Sequence, residues 1–332
     1  MNTDKQFRAL LASETGDGKF KRDIVTRKIG DLPENDTLIR VHYSGLNYKD
    51  ALSAAGNRGV TRKYPHQPGI DASGIVEECS TGIFKEGDEV LVTGYDLGMN
   101  TDGGFGEYIR VPSEWVVPKP ENLNLEECMV YGTAGFTAAL GIDRMLRMGQ
   151  DPGAGPIVVT GASGGVGSMA VSILSRIGFD VLAATGKEEA ANYLKKLGAK
   201  EIIPREEVDD QSGRPLLRPK WAGGFDTVGG NILDTLLKAC SVHGSVASCG
   251  NALSFRLQTT VFPFILNGVN LLGVNSATCP MDHRRQLWDK LSGEWKVEQL
   301  DLIKKLVSFE ELEEKIQLIL KGGVRGRVVL KL

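Results

Sequence analysis

The segment from residue 157 to residue 177 constrains the fold more than any other part of the 332-residue chain. An apolar run, Ile157–Thr160, leads into a glycine-rich turn, Gly161–Gly167, and apolar residues then recur with helical spacing. Strand, glycine turn and helix in this order are typical of a dinucleotide site, where bare backbone and a helix N-terminus meet the pyrophosphate. A purely structural turn is the alternative. The predicted phosphate-binding residues are Ser163, Gly164, Gly165 and Val166.

Six candidate strands alternate with helix-length segments between residues 128 and 298. They are Ile157–Gly161, Val181–Thr185, Glu201–Ile203, Phe225–Val228, Ser245–Cys249 and Leu271–Val274. This alternation predicts an α/β fold with a doubly wound parallel sheet of the Rossmann type. Residues 1–127 carry short strands separated by turn residues, and the chain closes on another strand, Val328–Leu332. We therefore predict two domains: residues 128–298, and a β-rich domain of residues 1–127 with 299–332.

The end of the second candidate strand indicates which dinucleotide is bound. An NAD site usually has Asp or Glu about 20 residues after the glycines, where it binds the ribose 2′-hydroxyl. Here the strand ends in Thr185-Gly186-Lys187, and Arg205 follows the third strand. A hydroxyl and two cations suit a 2′-phosphate, which a carboxylate would repel. We predict NADPH as the cofactor; for Lys187 or Arg205 taken singly, a solvated surface charge is the alternative.

Composition argues against several other classes of function. The formal net charge of −3 offers no field for binding nucleic acid, and no stretch approaches the ~18 apolar residues of a membrane span. The first residues include charges and form no signal peptide. Five cysteines lie far apart without metal-binding spacing, which favours reduced thiols and a cytoplasmic protein. These cysteines are Cys79, Cys128, Cys240, Cys249 and Cys279.

Segments along nearly the whole chain resemble the medium-chain dehydrogenase/reductase superfamily. They are YSGLNYKD (43–50), PGIDASGIV (68–76), EGDEVLV (86–92), DGGFGEYIRVP (102–112), VYGTAGFTAA (130–139), VTGASGGVG (159–167) and GRVVLKL (326–332). Within it, GLNYKD, MVYGTAGFTAAL and FPFILNGVNLLGV are most similar to the quinone-oxidoreductase branch that includes acryloyl-CoA reductases. The resemblance implies that the β-rich domain is a GroES-like β-barrel with the catalytic residues, to which the C-terminal segment returns.

The positions of the zinc ligands in related alcohol dehydrogenases hold other residues here. Asn47 replaces the first cysteine, Ile70 replaces the histidine, and Tyr131-Gly132 lies near the second cysteine. Isoleucine cannot bind zinc, and the other residues are poor substitutes for thiolates. The four-cysteine structural lobe is absent, and the four histidines lack ligand spacing. No metal is expected.

The resemblance places Asn47 and Tyr48 opposite the nicotinamide and identifies them as the predicted catalytic residues. Asn47 would orient polar groups of the ligand, whereas Tyr48 would cover the nicotinamide, bond its ribose side or relay a proton. The alternative is that this pair caps a turn before Lys49-Asp50. Without zinc to stabilise an alkoxide, hydride transfer to an activated alkene is the chemistry that needs least help.

We therefore predict an NADPH-dependent reductase of a short enoyl-CoA such as acryloyl-CoA. One alternative is an NADPH:quinone or enone/enal reductase, and another is a weakly catalytic NADPH-binding protein. Three cations, Arg58, Arg62 and Lys63, are candidate contacts for the CoA phosphates, with Arg284-Arg285 as a second basic pair; a solvated charged loop is the alternative. The apolar run Val269–Val274 predicts a sheet edge that is open to pairing with another chain, and the resemblance implies that this edge joins two subunits into a homodimer.

Overall fold

The computed structural model describes residues 3–332, which contain fifteen strands and nine helices. The strands are β1 (Gln6–Glu14), β2 (Phe20–Lys28), β3 (Thr37–Leu46), β4 (Asp71–Cys79), β5 (Glu89–Thr93), β6 (Tyr108–Val111), β7 (Val117–Pro118), β8 (Ile157–Val159), β9 (Val181–Thr185), β10 (Glu201–Pro204), β11 (Trp221–Asp226), β12 (Cys240–Ser248), β13 (Asn270–Gly273), β14 (Lys304–Val307) and β15 (Arg327–Lys331). The helices are α1 (Tyr48–Ala54), α2 (Leu125–Arg147), α3 (Gly165–Arg176), α4 (Ala191–Lys196), α5 (Gly230–Lys238), α6 (Phe262–Asn267), α7 (Met281–Ser292), α8 (Leu300–Ile303) and α9 (Phe309–Leu320). No helix of residues 3–332 is long and apolar enough to cross a membrane.

The chain divides into two compact units. Unit 1 comprises Met1–Thr133, Ala277–Ser292 and Ile303–Leu332, and unit 2 comprises Ala134–Ser276 and Gly293–Leu302. The segment Ala277–Ser292 therefore lies with the β-rich part of the chain, although the sequence analysis assigned it to the Rossmann domain. Its side chains explain this, because the Arg284 guanidinium donates to the Thr93 carbonyl oxygen at 2.8 Å. The exact domain boundaries remain a prediction.

Unit 2 contains the predicted doubly wound parallel sheet. Its strand order is β10-β9-β8-β11-β12-β13, and every neighbouring pair is parallel. When the six strands are counted along the chain, this is the order 3-2-1-4-5-6 that is characteristic of dinucleotide-binding sheets. The order reverses direction between β8 and β11, and ligands of such sheets bind at the carboxyl ends of the strands beside this point.

All six strands predicted from the sequence occur in unit 2, but the observed bounds of most of them differ from the predicted ones. The differences arise where an apolar residue belongs to a turn or where a strand begins with polar residues. Val181–Thr185 matches β9, whereas β11 starts at Trp221 and ends at Asp226 rather than spanning Phe225–Val228. Strand β11 ends early because the Asp226 carboxylate accepts a hydrogen bond from the Gly229 N–H at 2.9 Å and turns the chain. The apolar Val228 is therefore part of a turn.

Unit 1 is built on a seven-stranded sheet with a separate hairpin of β1 and β2. The order is β14-β15-β3-β4-β5-β7, with β6 also paired to β3, and only β14 and β15 run parallel. The last strand, β15, pairs with β3 so that Val328 lies opposite Leu46. The C-terminal segment thus returns to the β-rich unit as predicted, and it places Arg327 beside the start of α1.

Strand β13 ends the six-stranded sheet and has no strand on its outer side within residues 3–332. Helix α6, which precedes it, exposes large apolar side chains: Ile265 is 68% exposed and Leu266 is 60% exposed. Such an edge is open to pairing with another chain. The homodimer nevertheless stays a prediction, because a single chain carries no information on its partner.

Helix α2 is broken at Gly132, whose φ of 47° and ψ of −152° are non-helical. This backbone conformation is essentially restricted to glycine. A Cβ atom at Gly132 would also lie 2.4 Å from an Asp71 carboxylate oxygen. The break therefore makes room for a buried carboxylate.

We expect Gly132→Ala to lower the free energy of unfolding by at least about 3 kcal/mol, because it adds a steric overlap to backbone strain. Gly82→Ala is the matched control in unit 1: its φ is 71°, but a Cβ atom there meets nothing within 4 Å. It should cost only about 1 kcal/mol. Urea unfolding measures both, and equal losses would contradict the steric argument.

Candidate functional site

The predicted phosphate turn connects β8 with α3 and depends on two glycines. Gly161 has a φ of 56°, and a Cβ atom there would lie 2.2 Å from Thr227 Oγ1. At Gly167, a Cβ atom would lie 2.3 Å from the carbonyl oxygen of Gly161. The turn can close, and α3 can pack against it, only when both positions lack a side chain.

The start of α3 presents unpaired backbone donors at this turn. The first hydrogen bond inside the helix runs from the Ser168 N–H to the Gly164 carbonyl oxygen at 2.9 Å. The N–H groups of Gly165, Val166 and Gly167 therefore precede any intrahelical acceptor and carry the positive end of the helix dipole. Gly164, Gly165 and Val166 are half-exposed, whereas Ser163 is only 6% exposed. This is the arrangement that binds phosphate at helix N-termini.

A buried carboxylate that the sequence analysis missed fixes the carboxyl ends of β8 and β11. Asp226 accepts hydrogen bonds from Thr160 Oγ1 at 2.8 Å and from the Gly229 N–H at 2.9 Å. Thr160 Oγ1 in turn accepts from the Thr227 N–H at 3.1 Å. Burial raises the pKa of Asp226. An acidic residue at the end of an otherwise apolar strand was the signal that could have identified it.

The three residues predicted to bind a 2′-phosphate lie at or just after the ends of two neighbouring strands, β9 and β10. Thr185 on β9 is in register with Pro204 on β10, the residue before Arg205. The Arg205 side chain passes Gly186, where a Cβ atom would lie 3.8 Å from Arg205 Cδ. The Lys187 N–H donates to Thr185 Oγ1 at 3.1 Å. The following acids belong to a separate 3-10 turn, Glu188–Ala190, and are exposed.

In unit 1, Asn47 lies in a buried hydrogen-bond network instead of an open pocket. Its Nδ2 donates to an Asp71 carboxylate oxygen at 2.8 Å and to an Asp50 carboxylate oxygen at 3.2 Å. Its Oδ1 accepts from Arg327 Nη1 at 2.9 Å. Asp50, Asp71 and Arg327 are all buried. The Thr133 hydroxyl also donates a hydrogen bond to Asp71 Oδ1 at 2.6 Å.

Asn47 immediately precedes α1, in agreement with the alternative in which this pair caps the turn before Lys49-Asp50. Asp50 accepts from the Asn47 backbone N–H at 2.7 Å, which secures the first turn. Tyr48 is 47% exposed, so its ring is the accessible part of the predicted catalytic pair. The catalytic roles of both residues remain predictions.

Comparison with known proteins places this architecture in a family. The model of the alcohol dehydrogenase GroES-like domain matches residues 33–121, and that of the zinc-binding dehydrogenases matches residues 165–293. The putative quinone oxidoreductase YhfP of Bacillus subtilis is 46% identical over 327 residues, which are 98% of this chain and 99% of that protein. The acrylyl-CoA reductase AcuI of Ruegeria pomeroyi is 40% identical over 325 residues, 98% of each chain.

Solved structures agree with these relatives. The crystal structure of B. subtilis YhfP with NAD bound superposes with a TM-score of 0.96 at 46% identity and covers 99% of this chain and 100% of that one. The Escherichia coli K-12 YhdH structure with bound NADPH gives a TM-score of 0.94 at 41% identity, with coverages of 97% and 99%. The chain belongs to the medium-chain dehydrogenase/reductase family. The predicted resemblance to its quinone-oxidoreductase and acryloyl-CoA reductase branch is confirmed, as is the combination of a GroES-like and a Rossmann fold.

In this oxidoreductase the positions that hold zinc ligands in related alcohol dehydrogenases are occupied by packed side chains. Ile70 is 4% exposed and Tyr131 is fully buried. Asn47 is bound to two carboxylates and a guanidinium. Within residues 3–332, no three His, Cys, Asp or Glu side chains are grouped as metal ligands. Independence from metal stays a prediction.

The basic residues predicted to contact CoA differ in their availability. Arg58 forms an ion pair with Glu14 and donates to the Arg62 carbonyl oxygen at 2.8 Å. Arg62 and Lys63 are exposed and form no ion pair within residues 3–332. Arg284 is fully buried, with its guanidinium 4.5 Å from the centre of the Tyr95 ring. The prediction of Arg284-Arg285 as a second basic pair for CoA is therefore wrong for Arg284, because its guanidinium is inaccessible to a ligand.

Asp50 is the titrating group of the Asn47 network. Burial, reinforced by the charge of Asp71, raises the pKa of Asp50 from 3.8 to about 7. The folded chain then holds this proton more tightly than the unfolded chain does. Its contribution to stability is fully present below pH 4 and is lost as the pH rises toward 7.

We therefore expect the free energy of unfolding to fall with rising pH between about 4 and 7, by up to about 1.4 kcal/mol per pH unit from this group. Asp50→Asn is the control, since an amide does not titrate. Urea unfolding of both proteins at several pH values isolates Asp50 as the difference between the curves. Parallel curves would contradict the raised pKa.

Proposed function

We propose that this chain is an NADPH-dependent reductase of the C=C bond of a short enoyl-CoA, with acryloyl-CoA as the representative substrate. The observation that carries the cofactor choice is the grouping of Thr185, Lys187 and Arg205 at the ends of β9 and β10. The name of the R. pomeroyi relative and the NADPH in the E. coli structure support the proposal. The B. subtilis structure holds NAD, so the argument rests on this chain's own residues.

The residues of unit 2 fit a phosphorylated dinucleotide. The N–H groups of Gly165, Val166 and Gly167 would bind the pyrophosphate. The Thr185 hydroxyl and the cations of Lys187 and Arg205 would bind the 2′-phosphate. Bound NADPH would supply the hydride that is added to the β-carbon of the alkene. Asp226 would keep the two central strand ends in place while these contacts form.

On the substrate side, unit 1 offers Tyr48 as an accessible phenol at the first position of α1. We propose that Tyr48 contacts the reacting acyl group and that Asn47 acts by fixing the turn that carries it. Arg62 and Lys63 are proposed to bind phosphates of CoA, which lie far from the reacting carbons. Remote contacts of this kind supply binding energy that positions the reacting atoms.

Two alternative functions are each favoured by one observation. Reduction of quinones, enones or enals is favoured by the name of the B. subtilis relative, which is more similar in sequence than the R. pomeroyi reductase. A weakly catalytic NADPH-binding protein is favoured by Asn47, whose amide hydrogens are already engaged by carboxylates. The enoyl-CoA proposal differs from both in requiring turnover that depends on the CoA group.

NADPH oxidation in the presence of acryloyl-CoA, crotonaldehyde or a benzoquinone tests these functions together. We expect acryloyl-CoA to give the highest kcat/KM, and protein dialysed against a strong chelator to retain full activity because no residue set for zinc is in place. Preference for the quinone would favour the first alternative, and no turnover would favour the second. Zinc lost together with activity would contradict the metal-free mechanism.

Lys187→Ala tests the cofactor choice. Loss of a charge-assisted phosphate contact typically costs about 1.5–3 kcal/mol, so the Kd for NADPH should rise roughly tenfold or more. The Kd for NADH should change little, because NADH has no 2′-phosphate. Titration of cofactor fluorescence measures both constants. Equal weakening of the two cofactors would show that Lys187 does not bind the 2′-phosphate.

A further inference from the structure

The segment that carries Arg205 has little regular structure of its own. Arg205 begins a single 3-10 turn, Arg205–Val208, and an irregular stretch follows as far as β11. The Val208 side chain is 1% exposed and belongs to the apolar core around α5. Beyond this anchor, the backbone is held by contacts with α5.

Helix α5 binds the next two residues of this segment through polar side chains one turn apart. Asn231 Nδ2 donates to Asp209 Oδ1 at 2.6 Å and to the Asp210 carbonyl oxygen at 2.9 Å. Thr235 Oγ1 accepts from the Asp210 backbone N–H at 2.9 Å. The loop is thereby attached to a helix through both its backbone and its side chains.

A buried lysine adds an ion pair to the same attachment. Lys238 Nζ lies 3.1 Å from Asp210 Oδ2 on the loop and 3.1 Å from Asp234 Oδ2 on α5. The side chains of Lys238, Asp210 and Asp234 are 6%, 17% and 8% exposed. Burial by itself disfavours the charged lysine, but the two carboxylates raise its pKa above its ordinary value. The pair therefore persists at neutral pH and is little screened by salt.

Helix α5 is itself fixed to the end of β11. It begins at Gly230, and the preceding Gly229 N–H is bound by Asp226 at 2.9 Å. Helix α5 thus connects the Arg205 segment to the central strands that carry the phosphate turn. A connected set of hydrogen bonds and ion pairs leads from Asp226 through α5 to Asp210, five residues after Arg205.

We propose that Asp210, held by Lys238 and Asn231, is a positioning residue for cofactor specificity. It fixes the segment from which Arg205 reaches the 2′-phosphate of NADPH. The proposal rests on the proposed function, in which Arg205 binds that phosphate. NADH lacks the group, so displacement of Arg205 changes the affinity for NADPH and leaves that for NADH unchanged. A merely structural role of Asp210 would alter both affinities alike.

The chain offers a matched pair of variants for the test. Asp210→Asn weakens the ion pair between the loop and α5, whereas Asp234→Asn weakens an equally long ion pair of the same lysine within α5. Asp234 tolerates an amide, because its Oδ1 has no hydrogen-bond partner within residues 3–332. Asn231→Ala removes the second attachment of the loop at an exposed position. Arg205→Ala reports on the phosphate contact itself.

The measured quantity is the ratio of the Kd for NADH to the Kd for NADPH, from fluorescence titration, with thermal unfolding as a check on folding. We expect Arg205→Ala to lower this ratio roughly tenfold, and Asp210→Asn and Asn231→Ala to lower it by at least about threefold. Asp234→Asn should leave the ratio unchanged. Asp210→Asn should also have no further effect when Arg205 is already alanine.

The outcomes separate this proposal from the proposed function. No change of the ratio in Arg205→Ala would remove Arg205 from the 2′-phosphate site, and with it the basis of the proposal. A lowered ratio in Arg205→Ala, but not in Asp210→Asn or Asn231→Ala, would overturn the positioning role alone. The positioning role would also be overturned if Asp234→Asn lowered the ratio as much as Asp210→Asn does.

Discussion

The burial of one guanidinium with two carboxylates governs the construction of unit 1. A buried charge is strongly unfavourable unless it is paired and hydrogen-bonded, so Arg327 and Asp71 require each other, and Asp50 is linked to them through Asn47. Each comes from a different element: β15, β4 and α1. The pairing of the C-terminal strand with β3 is therefore an electrostatic requirement as well as a matter of strand geometry. Asn47 joins the three groups, because its amide donates to both acids and accepts from the guanidinium.

Space for this cluster is provided by residues without side chains. A Cβ atom at Gly45 would lie 2.5 Å from an Arg327 nitrogen, and one at Gly132 would lie 2.4 Å from an Asp71 oxygen. These two glycines lie in motifs that carry the family resemblance, and the packing of the buried cluster requires them as well. At the position of a zinc ligand in related alcohol dehydrogenases, this chain has an amide that is satisfied by charged neighbours.

Under the proposed function, unit 2 divides cofactor binding between backbone and side chains. The phosphate turn uses the N-terminus of α3 and needs glycines, so its chemistry is the same for either dinucleotide. The choice between the two cofactors would be made by Thr185, Lys187 and Arg205, which lie at or just after the ends of β9 and β10. Because Arg205 directly follows the last residue of β10, we expect its reach to depend on how the next segment is held. General binding and specificity are therefore properties of different structural elements.

The sequence by itself determined the elements whose signal is local. The strand, glycine turn and helix at residues 157–176 follow from backbone requirements within one short segment, as does the alternation that predicts a parallel sheet. The hydroxyl and the cations at the second and third strands could likewise be identified, because parallel neighbours end at the same edge of a sheet. The resemblance added the family and the GroES-like fold.

Only the tertiary structure decided how far each polar residue is buried and which groups it contacts. The sequence left open whether Asn47 binds a ligand or caps a turn. In the structure its Oδ1 accepts a hydrogen bond from Arg327, which is 280 positions away. Arg284 has the same sequence character as the exposed Arg285, yet it is fully buried under Tyr95. Asp210 carried no strong local signal, because its partners lie on another element, α5. The sequence shows which side chains can carry a charge, but contacts between distant segments determine how far each is buried and which group it pairs with.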